Sequence, residues 1–452
     1  MQGAMQLPKG LLLRATSAAE EIRRHDDVRV VTHYDADGIA SAGVICGALV
    51  RSDKRFQASM VKSLDERAIR RLGSEAFDCL VMADMGSSYL RQLEDLDARV
   101  IVLDHHTLQG DSEKVIYVNP HIWGIDGMTG SSASAVCMLL AAQMSDENWD
   151  LLPVAFAGVV GDRQHIRGLS GLNSILLAEG ERRGLVEVRE GSLLPSGQLR
   201  GALSASIDPY IIGVSGNEKG AESLLASAGL ELDVTLEGLG EAQRRKLASL
   251  LALALMKQGC TLQTLEELSH DRYYFPQRRA FASDLASLLN ACGRTDHESV
   301  GLGCALGDER SIKDASALKK KYRSSVLEGL RRIETKGLEK MEHIQHFRSE
   351  SPSLAGILCG LSMQYIGDKD KPTIALSEGG DVTRVSSRAT FEILATGVDL
   401  ATALRDTSSA VGGVGGGHAI ASGATIPKGR EEEFLRRLND IIRDQKRRKA
   451  KA

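Results

Sequence analysis

The sequence predicts an α/β fold in three parts. A parallel-sheet domain covers residues 1–190, a mainly helical insertion covers 191–310, and a linker helix with a smaller α/β C-terminal domain covers 311–452. Three observations carry this reading. Short β-branched or apolar runs alternate with helical stretches between residues 28 and 160, which is the pattern of a parallel sheet with helices on both faces. After about Arg183 the composition shifts to Gly-, Ser- and Leu-rich chain without a cluster of metal-binding type. Strand and helix patterning returns after Gly337.

In order along the chain, residues 11–25 read as an amphipathic helix. Val28–Thr32 is a β-branched run and reads as a buried strand, followed by the polar turn His33-Tyr34-Asp35-Ala36-Asp37-Gly38 and a helix over 39–50. Phe56–Met60 reads as a short strand. Cys79–Ala83 is a strand ending at Asp84, residues 89–96 a helix, and Val100–Leu103 a strand ending in Asp104-His105-His106. Val115–Asn119 is the next strand. Thr129-Gly130-Ser131-Ser132 opens an apolar helix to about Met144, with Ser and Thr as N-caps; such an N-terminus also suits a phosphate. Pro153–Val160 is a further strand-like run, closed by Gly161-Asp162.

The insertion carries a turn at Asp208-Pro209-Tyr210 and helices over 240–257 and 279–291. Residues 311–335 form a charged helix, whose Lys319-Lys320-Lys321-Tyr322-Arg323 run reads as a solvated face more readily than as a nucleic-acid contact. A helix over 352–365 and strands over 372–376 and 382–386 follow. Gly412-Gly413-Val414-Gly415-Gly416-Gly417-His418 is too rich in glycine for a helix interior or a good strand, and reads as a loop whose N–H groups approach an anion. The basic tail from Arg443 is expected to fray.

Composition narrows the function. Hydrophobic residues make up 42%, enough for sizeable cores, but aromatics only 4%, so few stacking platforms exist. Tyr34 and Trp123 are the nearest to the polar clusters, with Trp123 read as a core or surface residue. A net charge of −4 does not attract polyanions overall, so any nucleic-acid contact must come from local basic surfaces. Seven scattered cysteines without a CxxC pair argue against a disulfide framework or a zinc–thiolate site and fit a reducing, cytoplasmic location. The longest apolar run, around Leu247–Met256, is too short to span a bilayer, and the N-terminus shows no signal-peptide pattern.

Four clusters carry the chemistry: His33, Asp35 and Asp37; Asp84; Asp104, His105 and His106; and Asp162. The plainest reading of the first is a turn capped by Asp35 or Asp37. Taken together, carboxylates and imidazoles without thiolates suit Mn2+ or Mg2+, with Zn2+ or Co2+ as lesser candidates. Five aspartates and three histidines are too many for one ion. They suit two ions sharing a carboxylate, an arrangement fitted to in-line displacement at phosphorus.

His33-x-Asp35-x-Asp37-Gly38, Asp84, Asp104-His105-His106 and Gly161-Asp162 resemble the four motifs of the DHH phosphoesterase superfamily. Gly415-Gly416-Gly417-His418 with Ala421-Ser422-Gly423 resembles the signature of the DHH-associated C-terminal domain, and Asn290-Ala291-Cys292-Gly293-Arg294 resembles the insertion of archaeal RecJ-like exonucleases. The resemblance implies an active site in the cleft between the two α/β domains. It implies His33 and Asp35 on a first Mn2+, Asp37, His105 and Asp162 on a second, and Asp84 between them. Asp104 would orient the histidine pair or serve as a core hydrogen-bond hub, and His106 would face the scissile phosphate. Arg388, with Arg384 as its rival, together with Gly416, Gly417, His418 and Ser422 would grip a neighbouring phosphate or the nucleotide end.

The implied activity is end-directed hydrolysis of single-stranded DNA or RNA in replication or repair, with GINS or a helicase as implied partners and no membrane association. Hydrolysis of short oligonucleotides or cyclic dinucleotides, of the nanoRNase type, is the alternative activity. A replication-fork scaffold is the alternative of another class, which six filled ligand positions disfavour.

Overall fold

Five short apolar strands build the first sheet of the computed structural model, which describes residues 7–451 except 192, 195, 196 and 237. These are β1 (Asp27–His33), β2 (Arg55–Val61), β3 (Cys79–Ala83), β4 (Arg99–Leu103) and β5 (Val115–Val118), all parallel, in the order β2-β1-β3-β4-β5. Helices cover both faces, so β3 is buried throughout and needs no polar alternation. On one face, Val30, Val81 and Ile101 pack with the helices Lys9–Arg24, Ala36–Arg51, Ala133–Met144 and Leu152–Gly161. On the other, Leu80, Met82 and Val102 pack against Ile69, Leu72 and Leu93.

The chain forms two compact units. Residues 1–191 and 269–322 make the first, and 192–268 and 323–452 the second. The segment 191–310 is thus shared: its first part joins the second unit and its remainder joins the first. In the first unit, Glu187–Arg189, Arg272–Phe275 and Ala280–Phe281 form a small antiparallel sheet. Its Tyr273 and Phe275 pack edge-on against Phe156, with ring centroids 5.4 and 5.8 Å away. The second unit holds helices between 199 and 268 and a six-stranded sheet. In spatial order the strands of that sheet are Val414–Gly417, Ala421–Pro427, Val382–Arg388, Thr373–Gly379, Gln345–Ser349 and Glu339–Lys340.

Three sequence expectations are corrected. Pro153–Val160 is helical, within Leu152–Gly161. An apolar run buried on every side carries no periodicity that separates helix from strand. Val414–Gly417 is a strand, not a loop. It sits at a sheet edge, and its glycines let it close against the helix Leu400–Ala410: a side chain at Gly415 would stand 3.0 Å from the Leu404 carbonyl oxygen. The basic tail continues the helix Glu431–Lys451, anchored by buried Phe434, Leu435, Leu438 and Ile442. Once nucleated, such a helix extends by one hydrogen bond per residue. No helix among the described residues is long and apolar enough to cross a membrane.

Phe156 is fully buried. Phe156→Ala is expected to lower unfolding free energy by about 3–5 kcal/mol in urea titrations. A loss below about 1 kcal/mol would contradict the packing of strand Arg272–Phe275 on this helix.

Candidate metal centre

The register of the parallel sheet sets Thr32 beside Ala83 and Ala83 beside Leu103. The next residues, His33, Asp84 and Asp104, therefore emerge at one level, at the C-terminal edge where open α/β sheets place their ligands. Asp84 leaves its strand with φ of 59°, a backbone conformation uncommon outside glycine. Asp162 arrives from elsewhere, as the residue ending helix Leu152–Gly161. It follows a helix, and not a strand as the sequence suggested.

Asp84 is buried, and its two oxygens face different groups. Oδ2 lies 3.4 Å from Nδ1 of His33, which is itself 3.0 Å from Oδ2 of Asp35. Oδ1 lies 3.3 Å from Nε2 of His105. That nitrogen is also 3.5 Å from Asp162 and 4.0 Å from Asp37. Two three-residue groups with converging ligand atoms result: His33, Asp35 and Asp84; and Asp37, His105 and Asp162. Asp84 also converges with Asp104, His105 and His106.

The capped-turn reading of the first cluster is half of its role. Oδ1 of Asp35 accepts from the Gly38 N–H at 3.1 Å and caps helix Ala36–Arg51, which leaves Oδ2 toward His33. Gly38 is required by close approach, since a Cβ there would stand 2.1 Å from the His33 carbonyl oxygen. Asp37 accepts from the Ala133 and Ser134 N–H groups at 2.7 and 3.0 Å. The N-terminus of helix Ala133–Met144 is capped by Ser132, as the sequence suggested, and it holds a carboxylate of this chain where a phosphate was the other possibility.

Residues 27–160 match the model of the DHH family, N-terminal domain, and residues 354–444 that of the DHHA1 domain. A relative, the uncharacterized protein MJ0831 of Methanocaldococcus jannaschii, is 30% identical over 446 residues, which cover 96% of this chain and 98% of the relative. This chain belongs to the DHH phosphoesterase superfamily. Solved structures that share its fold include a RecJ and a CDC45. RecJ from Thermus thermophilus in complex with Mn2+ is similar at 17% identity and a TM-score of 0.61. The match covers 98% of this DHH protein and 56% of that RecJ, so the chain spans little more than half of its length. CDC45 from Entamoeba histolytica matches at 12% identity and a TM-score of 0.64, over 96% of this chain and 97% of the other.

Within the DHH domain, Asp104 stands behind the ligand groups as a hub. Its Oδ1 accepts from the His105 N–H at 2.8 Å and from Nδ1 of His106 at 2.7 Å, and its Oδ2 accepts from the Ser87 N–H at 3.1 Å. Burial would raise this carboxyl, but the His106 hydrogen bond, the charges of both imidazoles and the Ser87 hydrogen bond outweigh it and hold Asp104 below the usual carboxylate range. His106, raised chiefly by its bond to Asp104, is the exposed member, with 48% of its side chain accessible.

Sequence reasoning missed Gln164. It is buried, and its Nε2 donates to the carbonyls of Gly127 and Ser131 at 2.9 and 3.1 Å. The Gly127 carbonyl also accepts from Nδ1 of His105 at 2.7 Å, which turns Nε2 of that ring toward the carboxylates. Its place two residues after Asp162 was the one available signal. Arg294 and Lys62 also lie nearby. Arg294 donates to the Tyr34 hydroxyl at 3.0 Å, its charge helps hold Asp35 down, and Lys62 pairs with Asp296 while sitting 5.9 Å from the Tyr34 ring centroid. Trp123 packs instead against the first helix, with Arg14 over its ring.

In the DHHA1 domain, the His418–Ala421 pair exchanges both backbone hydrogen bonds, at 2.9 and 3.1 Å, and closes a tight hairpin. Gly417 pairs with Ser422, Arg388 with Ala421, and the Ala389 N–H reaches the Ile420 carbonyl. Arg388, Gly416, Gly417, His418 and Ser422 therefore share one end of the sheet. Arg384 lies four residues, about 13 Å, further along the strand. His418 is exposed, whereas the Ser422 hydroxyl is buried and donates to the His418 carbonyl at 2.8 Å, holding the turn. Gly417, at φ of 142°, could not carry a side chain without meeting Ser422 at 2.9 Å.

The electrostatics of the DHH cluster show what it is built to hold. Asp35, Asp37, Asp84 and Asp162 bring four negative charges into a largely buried space. Burial pushes Asp37 and Asp162 up, helped by the charges of Asp84 and Asp35 on both and of Asp37 on Asp162. Burial works against a charged His33, yet its hydrogen bonds to Asp35 and Asp84 carry it up to about 11. His105 rises for the same reason. Oxygen and imidazole donors around four carboxylates fit divalent metal, which would balance their charge with both imidazoles neutral.

The surrounding carboxylates favour the protonated forms of His33 and His105, so a cation competes with those protons. Mn2+ binding is expected to release protons, and affinity should rise about tenfold per pH unit for each proton released between about pH 6 and 8. Calorimetry in buffers of different ionisation heat measures both, and a pH-independent affinity would contradict the account. Gln164→Leu should weaken Mn2+ binding by about 10–100-fold in the same titration.

Proposed function

We propose that this DHH protein is a two-metal-ion phosphodiesterase, working with Mn2+, that hydrolyses single-stranded DNA or RNA from an end. The observation that supports this most strongly is the Asp84 carboxylate, whose oxygens face two separate Asp–His groups. In this reading His33 and Asp35 would hold one ion, Asp37, His105 and Asp162 would hold the other, and Asp84 would serve both. Mg2+ or Co2+ can substitute. Bound there, divalent cations would supply charge neutralisation at a phosphoryl group undergoing in-line displacement.

The chain's own residues do the rest. Helix N–H groups fix Asp37, and the Gly127 carbonyl fixes the tautomer of His105. His106, held through Nδ1 by Asp104, presents Nε2 outward and donates its proton to the leaving oxygen. Arg294 and Lys62, beside Tyr34, add positive charge where a substrate phosphate lies next to the centre. Arg388, His418 and the Gly416–Gly417 backbone, with Ser422 bracing the turn, grip the terminal nucleotide. Six filled ligand positions favour catalysis over a purely structural role. A place in replication or repair, with GINS or a helicase as partner, follows from the archaeal RecJ-like resemblance and belongs to the same proposal.

Single-stranded DNA and RNA labelled at each end in turn, incubated with Mn2+, test the reading, with cyclic dinucleotides alongside. Stepwise shortening from one end is expected. Preference for the cyclic compounds would replace the proposal with a small-substrate phosphodiesterase, and no hydrolysis by metal-loaded protein would overturn it. Asp84→Ala should remove nearly all turnover, and a variant with half the wild-type rate would contradict the shared-ligand role. His106→Ala should lower kcat by about 10²–10⁴-fold while metal binding persists.

A further inference from the structure

Away from the metal centre, the small sheet of the first unit carries a cation–aromatic stack that the reaction above does not use. Register sets Arg189 directly opposite Arg272, and Tyr274 opposite Phe281. The guanidinium carbon of Arg189 lies 3.6 Å from the Tyr274 ring centroid, and that of Arg272 lies 3.7 Å from Phe281. The two rings are 5.2 Å apart. The other face of the same strand already buries Tyr273 and Phe275 on Phe156, so the stack is not what anchors the sheet.

Like charges placed directly opposite across a ladder destabilise it. The acidic groups nearby include Glu187, 2.9 Å from Arg189, Asp284, whose charge faces Arg272, and the chain neighbours Glu190 and Asp271, both exposed. Arg189 keeps 47% of its side chain accessible, and Arg278 and Arg279 are exposed in the turn between the last two strands. A guanidinium lying flat on an aromatic ring keeps a fixed plane and offers its N–H edge to a phosphate oxygen.

Helix Ala282–Arg294 starts at this sheet and ends at the arginine that holds the Tyr34 hydroxyl beside His33. Its 13 residues span about 20 Å. We propose that the Arg189–Arg272 face is a second contact for the phosphate backbone of a single strand, engaged only by substrates long enough to reach it from the metal centre. At a stacked rise of about 3.4 Å, that reach is about six nucleotides. The inference rests on the single-strand reading of the metal centre.

Fluorescence anisotropy of a labelled single-stranded 20-mer in EDTA, over about 50–300 mM KCl, tests it. Each phosphate neutralised on a single strand contributes about 0.7 to the slope of log K against log salt. Arg189→Gln/Arg272→Gln is expected to flatten that slope by about 1.4 and to weaken 20-mer binding several-fold. The wild-type slope should be steeper for the 20-mer than for a dinucleotide, and the substitutions should remove most of that difference. Thermal unfolding checks the fold; if the double variant is unfolded, Arg189→Gln alone should flatten the slope by about 0.7. An unchanged slope in a folded variant overturns this surface and leaves the nuclease reading standing. A wild-type protein that neither binds nor cleaves the 20-mer overturns both.

Discussion

The carboxylate of Asp84 looks two ways, and the rest of the site depends on that. Parallel pairing brings β1, β3 and β4 to a common edge, so that a residue from each emerges at the same height. Asp84 leaves the middle one of these three strands through a left-handed backbone turn, with His33 on one side and His105 on the other. Moving the register of β3 by one residue would exchange Asp84 for a neighbour pointing to the opposite face of the sheet. The separation into two ligand groups would then disappear.

The ligand groups are held by partners remote in the chain. Asp37 is fixed by N–H groups 96 and 97 residues away. His105 is fixed by the Gly127 carbonyl, which Gln164 also engages, and Asp104 ties His105 and His106 to the loop at Ser87. Four buried carboxylates would repel one another and protonate without compensating charge. The raised pKa values of Asp37, Asp162, His33 and His105 are that compensation made with protons. Divalent cations would supply it more completely, because they meet several oxygens at once.

The strands that bring these side chains together were legible in the sequence, because they are short, apolar and bounded by the polar residues themselves. Cys79–Ala83 followed by Asp84 is the plainest case. What escaped was set by tertiary packing. The run before Asp162 is a helix, because burial on all sides erased its periodicity. The glycines of Val414–Gly417 form a strand, because a neighbouring helix presses on it and one sheet partner suffices at an edge. Gln164 acts through a backbone carbonyl 37 residues distant, and no local pattern marks such a contact. The tail is helical because apolar residues a turn or more upstream anchor it, outweighing its own charge.

The central claim is that side chains from four separated stretches cage two divalent cations around one shared carboxylate. Anomalous diffraction at the manganese edge, from crystals of the protein grown with Mn2+, tests it most directly. The account predicts two peaks per chain flanking Asp84, one among His33 and Asp35 and the other among Asp37, His105 and Asp162. A single peak, or peaks away from Asp84, would contradict it.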